Sequence, residues 1–171
     1  EIEKVGFEEQ KADRRYFTVK EQMEFCSEDG QTKITLLPDT DYNINLVVAY
    51  DSPYLQMQYA TYSEQVTDFA KEIAPCRTFV FLRELEMLLQ HNLIKGGDLD
   101  NAIVIVDREI SQEEVNRLAK LFNHDSIEVK QGILNNLDLY FDNEPARHKL
   151  LDVIGDLSLC GRFIKGRVIA E

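Results

Sequence analysis

The sequence predicts an α+β fold: a two-layer sandwich of a β-sheet with packed helices, plus a β-α-β insert. Three observations predict it. Apolar residues alternate through the first third, which is the spacing of half-buried strands. From about residue 63 the apolar period lengthens to that of helices. Strand and helix follow each other in β-α-β order only over residues 77–107, so a strictly alternating parallel sheet is not indicated.

The elements follow in order. "YFTVKEQMEF" and "TKITLL" flank the "SEDG" turn and read as paired strands. "YNINLVVAY" sets Tyr42, Ile44, Leu46, Val48 and Tyr50 on one face; "DSP" turns the chain, and "YLQMQYATY" alternates again, so the first third reads as a β-meander. In "SEQVTDFAKEIA" Ser63 is the expected N-cap, Val66, Phe69, Ala70 and Ile73 the apolar stripe, and Pro75 the stop. "RTFVF", the helix "FLRELEMLLQHN" and the apolar strand "NAIVIVD" make the β-α-β unit. "SQEE" is a capping box opening a helix with the stripe Val115, Leu118, Ala119 and Phe122. A polar stretch, a strand "NLDLYF", a helix from residue 144 capped by Asn143 with Pro145 in its first turn, and a last strand "RFIKGRVIA" complete the chain.

Composition bounds the function classes. With 44% apolar and 29% charged residues over 171 positions, the chain can bury one sizeable core and is not disordered. A net charge of −12 with scattered Lys and Arg argues against nucleic acid or an anionic membrane as partner. Three distant cysteines without a C-x-x-C pair point to a reducing, cytoplasmic setting. No apolar run approaches the roughly 20 residues of a transmembrane segment. The first residue is Glu, not Met, so either the polypeptide is expected to have been cut at this end or the numbering to start within a longer protein.

One stretch is chemically loaded. "EPARHKLLDVIGDL" spaces His148, Asp152 and Asp156 four residues apart. On a helix Asp152 lies about 40° and Asp156 about 80° around the axis from His148, with Lys149 near 100°. Leu150, Leu151, Val153, Ile154 and Leu157 cover the other side and hold the stripe in place. Such a stripe is either a solvated polar face or half of a zinc site, since zinc takes imidazole and carboxylate together and a catalytic site uses three protein ligands.

Two blocks, "CRTFVFLRELEMLLQHNLIKGGDLDNAIVI" and "EPARHKLLDVIGDLSLCG", together resemble the second half of UDP-3-O-acyl-N-acetylglucosamine deacetylase, the zinc enzyme of lipid A biosynthesis. The resemblance is clear from about Asp41 onward. It implies a two-domain enzyme with one zinc site between similar two-layer domains, of which this chain is the second. The first domain, with a further ligand His and a general-base Glu, has no counterpart here. "GRVIAE" stops just short of the family's general-acid His. The chain by itself is therefore expected to be inactive, and a fused hydroxyacyl-carrier-protein dehydratase is a further expectation.

Residue by residue, the resemblance implies that His148 and Asp152 are zinc ligands and that Asp156 orients the general acid. It sets Lys149 near the scissile amide and nucleotide, and Thr78 at the oxyanion, where a donor is worth about 3 kcal/mol of barrier. Phe79 falls at the mouth of an acyl passage within the insert, with Leu82, Leu85, Ile94, Leu99, Ala102 and Val104 at lining positions, or else simply in a core. Tyr50 falls near an aromatic that contacts uridine. Lys149 and Arg77 are the expected local positive charge for the UDP-sugar. His91 and His124 are poor ligand candidates. Val80 stands where the family pattern has Gly, and residues 108–135 form an extension that either covers a sheet edge or marks the fused lineage. The rival reading is a non-catalytic binding or interaction domain of the same fold.

Overall fold

The computed structural model describes residues 2–50, 52, 55, 57–91, 101–122, 124–130, 132–134 and 137–171. A short helix α1 (Ile2–Val5) precedes strands β1 (Tyr16–Thr18), β2 (Met23–Cys26), β3 (Lys33–Leu37), β4 (Tyr42–Val48) and β5 (Gln58–Ser63). Then come α2 (Phe69–Glu72), β6 (Phe79–Phe81), α3 (Leu82–Gln90), β7 (Ile103–Ile105), α4 (Gln112–Leu121), β8 (Val129–Lys130), β9 (Ile133–Leu134), α5 (Glu144–Ser158) and β10 (Phe163–Ala170).

The fold is α+β, with two sheets. The larger has the order β2-β3-β10-β4-β5, with β1 parallel to the start of β10. This corrects the β-meander: β10 is threaded between β3, antiparallel to it, and β4, parallel to it. Its alternation of buried Ile164, Gly166, Val168 and Ala170 suits a central strand with one face on the core. Gly166 is required there, because a Cβ would lie 2.5 Å from Val19 Cγ2 and 3.1 Å from the Leu37 carbonyl oxygen. The expected single strand at residues 16–25 is split, β1 pairing with β10 and β2 with β3. Around the "SEDG" turn Gly30 takes φ 70°, a conformation open to glycine at little cost.

α5 lies across the inner face of this sheet. Leu150 and Ala146 enter a core with Ile44, Leu46, Ala60, Ile73, Val168 and Ala170, against which Leu151, Val153, Ile154 and Leu157 also pack. Burying one such leucine is worth roughly 1.5–3 kcal/mol, which is why the helix has a defined rotation about its axis.

The smaller sheet has the order β6-β7-β9-β8, with β6 parallel to β7 as the β-α-β reading requires. The extension supplies the rest: β9 pairs with β7, covering its edge, and α4 packs Val115, Leu118 and Ala119 against Leu82, Leu85, Val104 and Val106. Ser111 Oγ accepts from the Glu114 backbone N–H at 3.2 Å, one arm of the expected capping box. The Glu114 carboxylate is engaged instead by Arg108, whose hydrogen bond lowers its pKa.

Three local expectations fail for identifiable reasons. The helix expected from Ser63 is only Phe69–Glu72, because Ser63 is still paired in β5 opposite Asn43 and Asp68 takes the capping role. Val66 is accordingly exposed. Residues 137–141 are not a strand; their backbone is used by side chains, Arg77 Nη2 donating to the Asp138 carbonyl and the Tyr140 N–H to Glu144. Asn143 does precede α5 but does not cap it, since its Nδ2 donates to the Tyr59 carbonyl and its Oδ1 accepts from Arg147 Nε.

Candidate metal centre

The polar stripe of α5 is the side left over once the apolar residues are packed. His148 is half-buried, with its ring Nδ1 3.1 Å from the Cys76 carbonyl oxygen. A carbonyl only accepts, so a hydrogen bond there calls for the proton on Nδ1, and in the neutral ring that leaves Nε2 as the nitrogen with the lone pair. Nε2 stands 3.7 Å from Asp152 Oδ1. The other oxygen of Asp152, Oδ2, accepts from Lys149 Nζ at 2.9 Å.

This donor set fits zinc. Two ligands about 2.0–2.1 Å from a tetrahedral ion stand about 3.3 Å apart, close to the separation found here, and a ligand imidazole ordinarily donates its other N–H to a carbonyl or carboxylate. Among the described residues no group of three or more His, Cys, Asp or Glu side chains could hold a metal, so the pair lacks a third ligand from these residues. The Cys76 thiol does not supply it: burial and the neighbouring Glu144 charge push it up to about 11, and its Sγ donates to the Glu72 carbonyl.

Lys149, Asp152 and Asp156 line one groove of about 690 Å³ with Ile34, Leu46, Val48 and Met57. A second cleft of about 530 Å³, between Tyr42, Tyr62, Leu157 and Phe163, contains none of the stripe residues. Beside His148 stands an aromatic group. The Phe79 ring is 6.4 Å from the imidazole, edge-on, and Tyr50 packs 5.5 Å from Phe79 and 6.0 Å from Phe81. Lys149 Nζ sits 5.3 Å from the Phe79 ring centroid, within cation-π range. Among the described residues the buried Tyr50 hydroxyl has no hydrogen-bond partner, and burial raises its pKa.

The structure thus gathers His148, Lys149, Asp152, Phe79 and Tyr50. Thr78 is exposed, two residues beyond the carbonyl that holds His148. Leu82, Leu85 and Val104 are buried in the core of the insert, with Val80 packed against them, and Ala102 is half-buried. Ile94 and Leu99 lie outside the described residues. Arg77 is not an open positive charge: it is bound by the fully buried Glu144, whose carboxylate burial would raise but hydrogen bonds from Arg77 and Tyr140 hold below its usual range. The Cys76 carbonyl was invisible to residue-type reasoning, since any residue has one. Glu144 left a faint signal, as an acid in the first helical turn before Pro145.

A model of the UDP-3-O-acyl N-acetylglycosamine deacetylase family matches residues 1–127 and 122–171. The bifunctional enzyme LpxC/FabZ of Bacteroides thetaiotaomicron is 49% identical over 171 residues, which are 99% of this chain and 37% of that protein. The enzyme of the same name from Porphyromonas gingivalis is 46% identical over the same shares. The UDP-3-O-acyl-N-acetylglucosamine deacetylase of Syntrophotalea carbinolica is 31% identical over 169 residues, 99% of this chain and 47% of that protein. The chain thus spans less than half the length of these curated relatives. With both sequence blocks inside the matched region, the chain belongs to the UDP-3-O-acyl N-acetylglycosamine deacetylase family.

Proposed function

We propose that this chain is the second half of a zinc-dependent UDP-3-O-acyl-N-acetylglucosamine deacetylase, a cytoplasmic amide hydrolase of lipid A biosynthesis, with His148 and Asp152 as two of its metal ligands. The observation that carries the reading is the convergence of Nε2 and Oδ1 at 3.7 Å while Nδ1 and Oδ2 are already engaged. A zinc ion so held supplies Lewis-acid polarisation of a carbonyl and activation of water near neutral pH. The chain's own groups then have distinct tasks. Lys149, at the rim of the groove, meets the nucleotide side of the substrate; Asp156, one turn beyond Asp152, orients an acid; Thr78 offers a hydroxyl to the oxyanion. Phe79 stands at the mouth of the acyl passage, and Tyr50 offers a flat aromatic surface to the uridine. The insert holds the acyl chain, with Ile94, Leu99 and Ala102 at the lining positions that the resemblance implies, while Leu82, Leu85 and Val104 pack the core that supports the passage instead of lining it.

The third ligand and the general base then come from a preceding domain of the same polypeptide. Two features support this: the curated relatives are more than twice as long as the matched segment, and Met23 and Phe25 are exposed on the helix-bearing side of the sheet edge. The bifunctional names among the relatives support a following dehydratase domain. Among the described residues no helix is long and apolar enough to cross a membrane. The test is deacetylation of the UDP-sugar by the complete polypeptide, expected to be lost on chelation and restored by zinc. The 171-residue chain alone is expected to bind zinc weakly in competition with a chelating dye. Undiminished turnover after chelation, or zinc held by the chain alone tighter than about 1 μM, would overturn the reading.

A further inference from the structure

A buried carboxylate outside the stripe has no place in the chemistry above. Glu144 is the first residue of α5 and is fully buried. Its Oε1 accepts from the Arg77 backbone N–H at 2.9 Å and from Arg77 Nε at 2.9 Å; its Oε2 accepts from Arg77 Nη2 at 3.0 Å and from the Tyr140 backbone N–H at 2.8 Å. The first of these bonds belongs to the peptide unit joining Cys76 to Arg77. The carbonyl of that same peptide unit is the acceptor for His148 Nδ1. One peptide is therefore gripped at both poles by residues one turn apart on α5, Glu144 at its N–H and His148 at its C=O.

We propose that Glu144 and Arg77 are positioning residues for His148, acting through the Cys76–Arg77 peptide to set the imidazole's tautomer and orientation. The physical reason is polarisation along a hydrogen-bonded chain. A carboxylate accepting a peptide N–H in a water-free site draws electron density toward the C=O of that peptide and makes it a stronger acceptor. A ring nitrogen facing a strong acceptor keeps its proton, so the opposite nitrogen presents its lone pair. The arrangement does through a peptide what a carboxylate in direct contact does for many ligand histidines. Arg77 is spent on holding the carboxylate: its guanidinium also donates to the Asp138 carbonyl and lies 4.2 Å from the Tyr140 ring, so Glu144 cannot turn away. A purely structural ion pair would need no peptide between itself and the ligand. The use of Nε2 as a ligand rests on the zinc reading; the tautomer does not, and it is measurable without metal.

The experiment is long-range nitrogen–proton NMR of the imidazole rings in the metal-free 171-residue chain, at a pH where His148 is neutral. The wild-type ring is expected as the Nδ1–H tautomer. Glu144→Gln, which keeps the shape but removes the charge, should move the His148 signals toward the Nε2–H form, with backbone amide spectra away from residues 76–78 and 140–148 unchanged. Because that variant leaves Arg77 uncompensated in a buried place, the paired change Arg77→Met with Glu144→Leu serves as the second probe, since an apolar pair of similar volume is often tolerated in place of a buried ion pair. It too should lose the Nδ1–H preference while remaining folded. An Nε2–H ring in the wild type, or a folded variant of either kind with the wild-type tautomer, would overturn the proposal. Failure of zinc binding in the complete polypeptide, with the tautomer as expected, would instead sink the zinc reading and leave this one standing.

Discussion

The large sheet with α5 and the small sheet with α3 and α4 are both helices packed on strands, yet they spend their residues differently. In the first, α5 buries only its inner side and leaves His148, Asp152 and Asp156 as a polar stripe. In the second, β7 is buried throughout: Val104 faces α3 and α4, while Ile103 and Ile105 share the opposite face with Phe79 and Phe81. Among the described residues the two apolar clusters share no member. They are joined by residues 76–81, where the Cys76 carbonyl holds His148 and the Phe79 ring packs beside it. The difference teaches where chemistry can reside. A one-sided helix can hold a charged stripe at fixed geometry, because its apolar side carries the packing energy. A segment buried on both faces has room only for apolar contact.

The sharpest way to break this division is to attack the stripe. On the zinc reading proposed above, His148→Ala in the complete polypeptide should lower the deacetylation rate by more than about 100-fold, and Asp156→Ala by about 10- to 100-fold, the range for groups that would orient rather than bind the metal. Equal, small losses from both would remove the distinction on which the site is built. Next come the two cores. Leu150→Ala and Leu118→Ala should each cost about 2–5 kcal/mol locally. Amide exchange should show Leu150→Ala loosening the large sheet, whereas Leu118→Ala should release α4 and β7 and leave β4 and β10 protected. Joint loss of protection from either change would mean one cooperative unit.

Gly166→Ala tests the threading of β10. The new methyl would overlap Val19 and approach the Leu37 carbonyl, and overpacking of that kind costs about 1–3 kcal/mol. Chemical denaturation should show the loss, and Val19→Ala in the same chain should recover part of it. The smallest effect is expected at Ser111→Ala, which removes one cap bond from α4 and should cost about 1 kcal/mol, read as faster exchange in the first turn of that helix alone.

The sequence by itself determined the fold class, the β-α-β order, the helix from residue 144 and the spacing of His148, Asp152 and Asp156, because each depends on periodicity within one segment. It also carried the family, through two blocks whose order no local pattern explains. It misjudged what long-range pairing decides. β10 was legible as a strand, but its place between β3 and β4 was not, since an alternating strand does not name its neighbours. Ser63 reads as a cap until β5 claims it, and "NLDLYF" reads as a strand until Arg77 and Glu144 take up its backbone. The surroundings of the stripe were likewise decided only in three dimensions. His148 and Cys76 are 72 residues apart, and the bond between them runs to a backbone carbonyl that no residue type encodes. Short-range chemistry is written in side chains, but the orientation of a ligand depends on which distant backbone the fold brings within 3 Å or so of it, and that is a property of packing.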